Sequence, residues 1–174
     1  MDELEEWVVD DPSQQSDKRR VLDERMIREP IFVLRPREPL SLPPSASVRD
    51  AVRLMREHRV GCLLVVEGDR LAGILTERDL LLKLETAGLD RPVLEFMTPE
   101  PEVLSPTDPI VYALNKMSVG GFRHVPLVDD EQRPVGVVSV KDIVDYIVDF
   151  FPHEVLNVPH DPAREHAWRG RDGG

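Results

Sequence analysis

The alternation of apolar and polar positions divides the chain into short elements. Val48, Ala51, Val52, Leu54 and Met55 recur at helical spacing, so residues 48–58 are expected to form a helix with one core-facing stripe, capped by Ser45 or Ser47. Gly61 punctuates its end. The apolar run 62–66, the turn 67–70 and the apolar run 71–75 read as a buried hairpin. Thr76 then starts a helix that carries Leu80, Leu81, Leu82 and Leu84.

The same order then returns. After a short helical segment at 93–97, Val103 and Leu104 form a brief strand. Pro109, behind the capping candidates Thr107 and Asp108, opens a helix with Ile110, Ala113, Leu114 and Met117 facing inward, ending near Gly120 and Gly121. Residues 124–128 and 134–138 are two strands around the turn 129–133, and Ser139 starts a helix through Phe150. Ala51 is matched by Ala113 and Met55 by Met117, 62 positions on; Gly73 is matched by Gly136 and Asp79 by Asp142, 63 on. One extra residue in the second hairpin accounts for the difference.

A fixed period indicates one supersecondary unit copied twice. A β-α-β-β-α unit of about 50 residues is too small to bury both faces of its sheet alone, whereas two can stack their sheets. The expected fold is therefore α/β (α+β), with two β-α-β-β-α repeats related by a pseudo-twofold axis and their sheets packed against each other. Its core is expected to draw on Val52, Met55, Leu64, Val65 and Ile74, and on Leu114, Met117, Leu127, Val128, Val137 and Val138. The divisions are an acidic N-terminal arm and short helix over 1–37, repeat 1 over 38–90, repeat 2 over 91–150 and a tail over 151–174. Within the first part, residues 1–17 read as an acidic arm, 18–28 as a surface helix stopped by Pro30, and 31–34 as extended.

Composition narrows the function classes. Apolar residues make up 41% of the chain and charged residues 32%, and 33 acidic against 22 basic residues give a net charge of −11. This excess disfavours nucleic acid and anionic membrane surfaces as general partners. No apolar run approaches the roughly 18 residues of a membrane span, and the start MDELEEW lacks signal-peptide order, so a cytoplasmic location is expected. Cys62, the single cysteine, reads as a core thiol. No Walker-type phosphate loop, nucleophile elbow or zinc-protease helix is found, and His153, His160 and His166 follow no familiar metal spacing. An enzyme is not expected, nor a bound metal.

The informative stretches are Gly73 to Asp79, GILTERD, and Gly136 to Asp142, GVVSVKD. A hydroxyl followed three residues later by a carboxylate is close to a capping box, in which both satisfy backbone N–H groups at a helix start. The same pair also suits a ribose, because an ionised Asp is a two-oxygen acceptor matched to the donors of a vicinal diol. Both readings of Thr76 with Asp79 and of Ser139 with Asp142 stand at this point.

The doubled unit, the two closing stretches, FMTPEPEVLSP at the start of the second copy and FRHVPLVDDEQRPVGVVS inside it resemble a tandem pair of CBS domains, the Bateman module, over about residues 38–150. That resemblance implies a regulatory module binding an adenosine derivative between the repeats: AMP, ADP or ATP, with S-adenosylmethionine or a dinucleotide as further possibilities. It assigns ribose contacts to Thr76, Asp79, Ser139 and Asp142, and phosphate contacts to Arg123 and His124, with Arg78, Lys141 and Arg59 as further candidates. Val103, Val125 and Pro126 are weaker candidates for the adenine. Because Gly61 and Cys62 stand where the second repeat has Arg123 and His124, the second motif's cleft is expected to be better supplied with positive charge. The resemblance further implies a homodimer and a regulated partner protein. The competing reading is a ligand-independent dimerisation or scaffold module whose motifs only cap helices.

Overall fold

The computed structural model describes residues 24–83 and 88–149. The acidic arm at 1–17 and the tail at 151–174 lie outside the described residues, as do most of the expected helix 18–28 and the end of the one begun by Thr76. The elements run α1 (Glu24–Arg28), a 3-10 turn (Ile31–Leu34), β1 (Ser41–Leu42), α2 (Val48–His58), β2 (Cys62–Glu67), β3 (Arg70–Thr76), α3 (Glu77–Lys83), a second 3-10 turn (Val93–Glu95), β4 (Thr98–Pro99), α4 (Ile110–Gly120), β5 (His124–Val128), β6 (Pro134–Ser139) and α5 (Val140–Val148).

Each repeat builds a hairpin backed by two helices. β1 to β4 form one sheet in sequence order, with β2 and β3 paired from Cys62 with Thr76 to Glu67 with Arg70. β5 and β6 pair from His124 with Ser139 to Val128 with Pro134, flanked by the single bridges Leu104 to Leu127 and Arg37 to Val137. The second sheet thus repeats the order of the first. On the helix side of the first hairpin, Ala51, Met55, Leu63, Val65 and Leu75 are buried together. The equivalent cluster of the second repeat holds Ala113, Met117, Val125, Leu127 and Val138. Leu64 and its cross-strand partner Ile74 are buried outside both clusters, as residues on the opposite face of the hairpin must be. Of the expected core, Val52 and Leu114 are only partly buried and border these clusters, and Val137 is likewise half-buried.

Residues 31–34 are not extended, as their β-branched and aromatic content suggested, but a 3-10 turn. Its conformation is dictated from a distance. Ile31 N–H donates to Asp108 O at 2.9 Å, Phe32 N–H to Pro106 O at 2.9 Å, and Glu29 O accepts from Ile110 N–H at 2.9 Å. Sixty-two residues later, Val93 N–H donates to Ala46 O, Leu94 N–H to Pro44 O, and Arg91 O accepts from Val48 N–H, at 2.8, 3.2 and 2.9 Å. The internal equivalence therefore reaches back to Glu29. In addition, each turn serves the other repeat: Ile31 is fully buried in the core of α4, β5 and β6, while Val93, Phe96 and Met97 complete that of α2, β2 and β3. The Glu29 carbonyl accepts from the first N–H of α4, which neither Thr107 nor Asp108 caps, the Asp108 carboxylate accepting instead from Ser105 N–H, and Pro109 makes no side-chain bond there.

The crossing is close enough to require glycine. A Cβ on Gly73 would sit 2.6 Å from Met97 Sδ and 2.8 Å from Thr98 O. At Gly136 it would meet Leu127 Cδ1 and Pro36 Cβ, both at 3.3 Å. The glycine of each motif thus faces the segment that the other repeat sends across, tightly at Gly73 and less so at Gly136.

Candidate functional site

Both Thr/Ser-x-x-Asp motifs form capping geometry. Thr76 N–H donates to Asp79 Oδ2 at 2.9 Å, and Ser139 N–H donates to Asp142 Oδ2 at 2.7 Å. In return, Asp142 N–H donates to Ser139 Oγ at 3.2 Å, which makes the start of α5 a complete capping box. Ser47 and Asp50 make related bonds at the start of α2, with Asp50 N–H donating to Ser47 Oγ at 3.1 Å, yet neither lines a cleft. The pattern alone does not mark a ligand site. Location separates the two motifs from this third cap.

Each motif opens onto a cleft built from both repeats. The first, about 650 Å³, has Thr76, Glu77, Arg78 and Asp79 on one side and Phe122, Arg123 and His124 on the other, with Thr98 and Glu100 to Glu102 between. The second, about 430 Å³, has Ser139, Lys141 and Asp142 facing His58 to Cys62, with Arg37 to Leu40 between. Position by position the two linings are equivalent: Asp79 with Asp142, Arg78 with Lys141, Phe122 with Val60, and the Glu-Pro pair 100–101 with 38–39. Both volumes fall in the usual range for small-molecule sites, roughly 300–1,000 Å³. Capping uses one oxygen of each carboxylate. Asp79 Oδ1 accepts from Thr98 Oγ1 at 3.3 Å and lies 3.8 Å from Lys83 Nζ, with the Asp79 side chain only 17% exposed. Oδ1 of Asp142 has no bonding partner among the described residues.

The clefts are crossed with respect to the sequence. Arg123 belongs to the cleft of Thr76 and Asp79, not to that of Ser139 and Asp142, because the start of each repeat's first hairpin strand lies against the other repeat's motif. The positive charge in the second motif's cleft comes instead from Arg37, Arg59 and Lys141. His124 and Gly61 line both clefts. Burial holds the His124 imidazole below its ordinary pKa, helped by Arg123 and opposed by Asp142 and Glu77. The Cys62 thiol is pushed up to about 12, first by burial and then by Asp142 and Glu77.

The three adenine candidates are not brought to either cleft. Val125 is fully buried in the second core, Pro126 is buried in β5, and Val103, half-buried before the Leu104 bridge, lines neither cavity. Apolar surface is supplied instead by Ile74, Leu82 and Phe122 in the first cleft and by Leu40, Val60 and Val137 in the second. Sequence reasoning missed Arg37, Thr98 and Phe122 and the segment 100–102. The paired Glu-Pro steps at 38–39 and 100–101, 62 residues apart, were the available signal.

Two crossed repeats with an equivalent cleft at each motif define a tandem-repeat module. The family model for the CBS domain matches residues 25–86 and again 93–149, and the chain belongs to this family. Among relatives, the CBS domain-containing protein CBSX3, mitochondrial, of Arabidopsis thaliana is 36% identical over 110 residues, covering 59% of this chain and 53% of its own length. The chain spans 34% to 65% of the length of the first curated relatives it matches. Among solved structures, a CBS domain protein from Pyrobaculum aerophilum complexed with AMP superimposes with a TM-score of 0.64 at 27% identity, over 71% of this chain and 98% of that one. The CBS domain pair of protein MJ0100, in complex with 5′-methylthioadenosine and S-adenosyl-L-methionine, gives 0.63 at 25% identity, over 68% and 98%. CBS domain proteins are regulatory modules that are generally not enzymes. Among the described residues no helix is long and apolar enough to cross a membrane.

Proposed function

We propose that this chain binds an adenosine derivative, of the AMP, ADP or ATP kind or S-adenosylmethionine, in the clefts between its repeats and reports the bound state to a partner protein. One observation carries this reading. Both Asp-hydroxyl pairs open onto pseudo-equivalent clefts, whereas the comparable pair Ser47 and Asp50 does not. In each cleft the capping bond fixes the carboxylate through one oxygen; Oδ1 of Asp142 is left to receive a ribose hydroxyl, and Oδ1 of Asp79 receives one by exchanging its Thr98 contact. Similar folds that hold AMP, or 5′-methylthioadenosine with S-adenosyl-L-methionine, support the ligand class.

Signalling requires that the ligand favour one of two arrangements. A cleft walled by both repeats is suited to this, since closing on a ligand moves one repeat against the other. A homodimer is part of the reading, supported by Leu81 and Val144, which hold equivalent places on α3 and α5 and are 79% and 49% exposed. A thermal-shift panel of AMP, ADP, ATP, S-adenosylmethionine and NAD tests the ligand class, because a ligand at a hundred times its Kd stabilises by about 2.7 kcal/mol. Stabilisation by at least one adenosine derivative is expected. No shift with any of them, with calorimetry also flat, leaves the scaffold reading in its place.

A further inference from the structure

The two clefts are equivalent in backbone but not in charge. Where the second has Arg37, Arg59 and Leu40, the first has Pro99, Gly121 and Glu102, and the first alone has a carboxylate at Glu77, where its counterpart is Val140. Only the pair Arg123 and Gly61 runs the other way. The first cleft accordingly sets two arginines against four carboxylates, Glu77, Asp79, Glu100 and Glu102. The second sets Arg37, Arg59 and Lys141 against Glu38 and Asp142. Counting the three neighbouring ion-pair partners brings both linings to a formal balance, so the difference lies in which charges are left unpaired on each cleft wall. Lys116 holds Glu102, Lys83 approaches Asp79 and Asp145 holds Lys141. Arg37 and Arg59 remain without an ion-pair partner among the described residues, and so do Glu77 and Glu100.

Backbone strain points the same way. α2 and α4 both end on a left-handed residue, Gly121 at φ 68° and Arg59 at φ 54°. Glycine takes that conformation freely, and an arginine does so only at a cost. The side chain placed there is a cation on the cleft wall.

We infer that the two clefts are specialised by charge. The cleft of Ser139 and Asp142 takes a phosphorylated adenosine derivative, and the cleft of Thr76 and Asp79 takes an adenosine derivative without a phosphate. This rests on the adenosine reading above and assigns a ligand class to each side of it. A phosphate monoester carries about −1.5 to −2 charge at neutral pH, which Arg37 and Arg59 attract and Glu77 and Glu100 repel. An uncharged nucleoside, or one with a cationic substituent, meets no such repulsion in the first cleft.

Calorimetric titration of the full chain with AMP and, separately, with 5′-methylthioadenosine tests the assignment. AMP is expected to bind at one equivalent per chain. Arg37→Ala and Arg59→Gly, the latter relieving backbone strain as at Gly121, should each weaken AMP at least tenfold and leave 5′-methylthioadenosine unchanged. Glu77→Val, which copies the residue found in the other cleft, should admit a second equivalent of AMP. Two equal AMP sites in the unaltered chain overturn the inference, as does AMP binding that depends on Arg123 and ignores Arg37 and Arg59. Binding of 5′-methylthioadenosine without AMP overturns it but leaves the adenosine reading standing. Binding of neither ligand overturns the inference, and it overturns the adenosine reading as well when ADP, ATP and S-adenosylmethionine also fail to bind.

Discussion

Replacing Asp142 with Ala separates the two roles that its carboxylate combines. In the absence of ligand, the substitution removes the acceptor for the Ser139 N–H and hydroxyl and breaks the capping box of α5, at a cost of about 1 kcal/mol of stability. If the free Oδ1 receives a ribose hydroxyl, the same substitution also removes a hydrogen bond to a charged acceptor, worth roughly 1.5–3 kcal/mol, which is a loss of about ten- to more than a hundredfold in affinity. Asp50→Ala is the matched comparison. It removes a Ser47–Asp50 bond at the start of α2 but lies outside both clefts, so it should lower the melting temperature and leave AMP affinity within error. The assay is a pair of measurements on each variant: urea unfolding without ligand, and calorimetric titration with AMP at a temperature where the variant is fully folded. Loss of stability in both variants with loss of affinity in neither would show that the motif is a helix cap and nothing more.

Two further outcomes follow from the geometry. Gly73→Ala drives a methyl group to within 2.8 Å of the Thr98 carbonyl and 2.6 Å of Met97 Sδ, so it should destabilise by about 1–3 kcal/mol. Gly136→Ala, with its nearest contacts at 3.3 Å, should cost less; paired urea melts rank them, and a reversed order contradicts the account of the crossing. His124 is held below its ordinary pKa by burial, so the unfolded chain gains a proton there before the folded one does. Its contribution is present above the unfolded pKa of about 6.5 and is lost as pH falls through the folded value. Its ring resonance should therefore titrate below that of a free imidazole, and His124→Gln should flatten the acid side of the stability curve; a titration at or above the ordinary value refutes this.

The helices α2 and α4 and both hairpins were legible because their determinants are local. Apolar residues recur at 3.6 or 2.0, Ser47 and Ser139 stand at helix starts, and Gly68 supplies a positive φ of 65° in the first turn. The turn at 31–34 was not legible, because its conformation is set by carbonyls and N–H groups of residues 106–110. A run such as IFVL carries no trace of partners 74 and 77 residues away. β4 escaped notice for the same reason: two residues, Thr98 and Pro99, pair with Gly73 and Ile74 only because the crossing brings them there.

The site was legible in its parts and not in its assembly. Thr76, Asp79, Ser139 and Asp142 stood out by their spacing, and the resemblance to the CBS pair singled out Arg123 and His124. Their grouping did not stand out, since sequence proximity associates Arg123 with Asp142 whereas the fold delivers it to Asp79. Val125 and Pro126 line neither cleft, Val125 because its face of β5 is packed into the second core and Pro126 because it is buried on the opposite face. The exchange of the segments 30–34 and 92–97 is the physical origin of this crossing. Each repeat lends part of its core to the other, and the stretches that follow, 37–40 and 98–102, become the middle walls of the clefts. A ligand in either cleft therefore touches residues whose relative positions depend on the packing of Ile31 into one core and of Val93 and Phe96 into the other. If the clefts take a ligand as proposed, occupancy and the repeat–repeat arrangement are tied through the same few buried side chains.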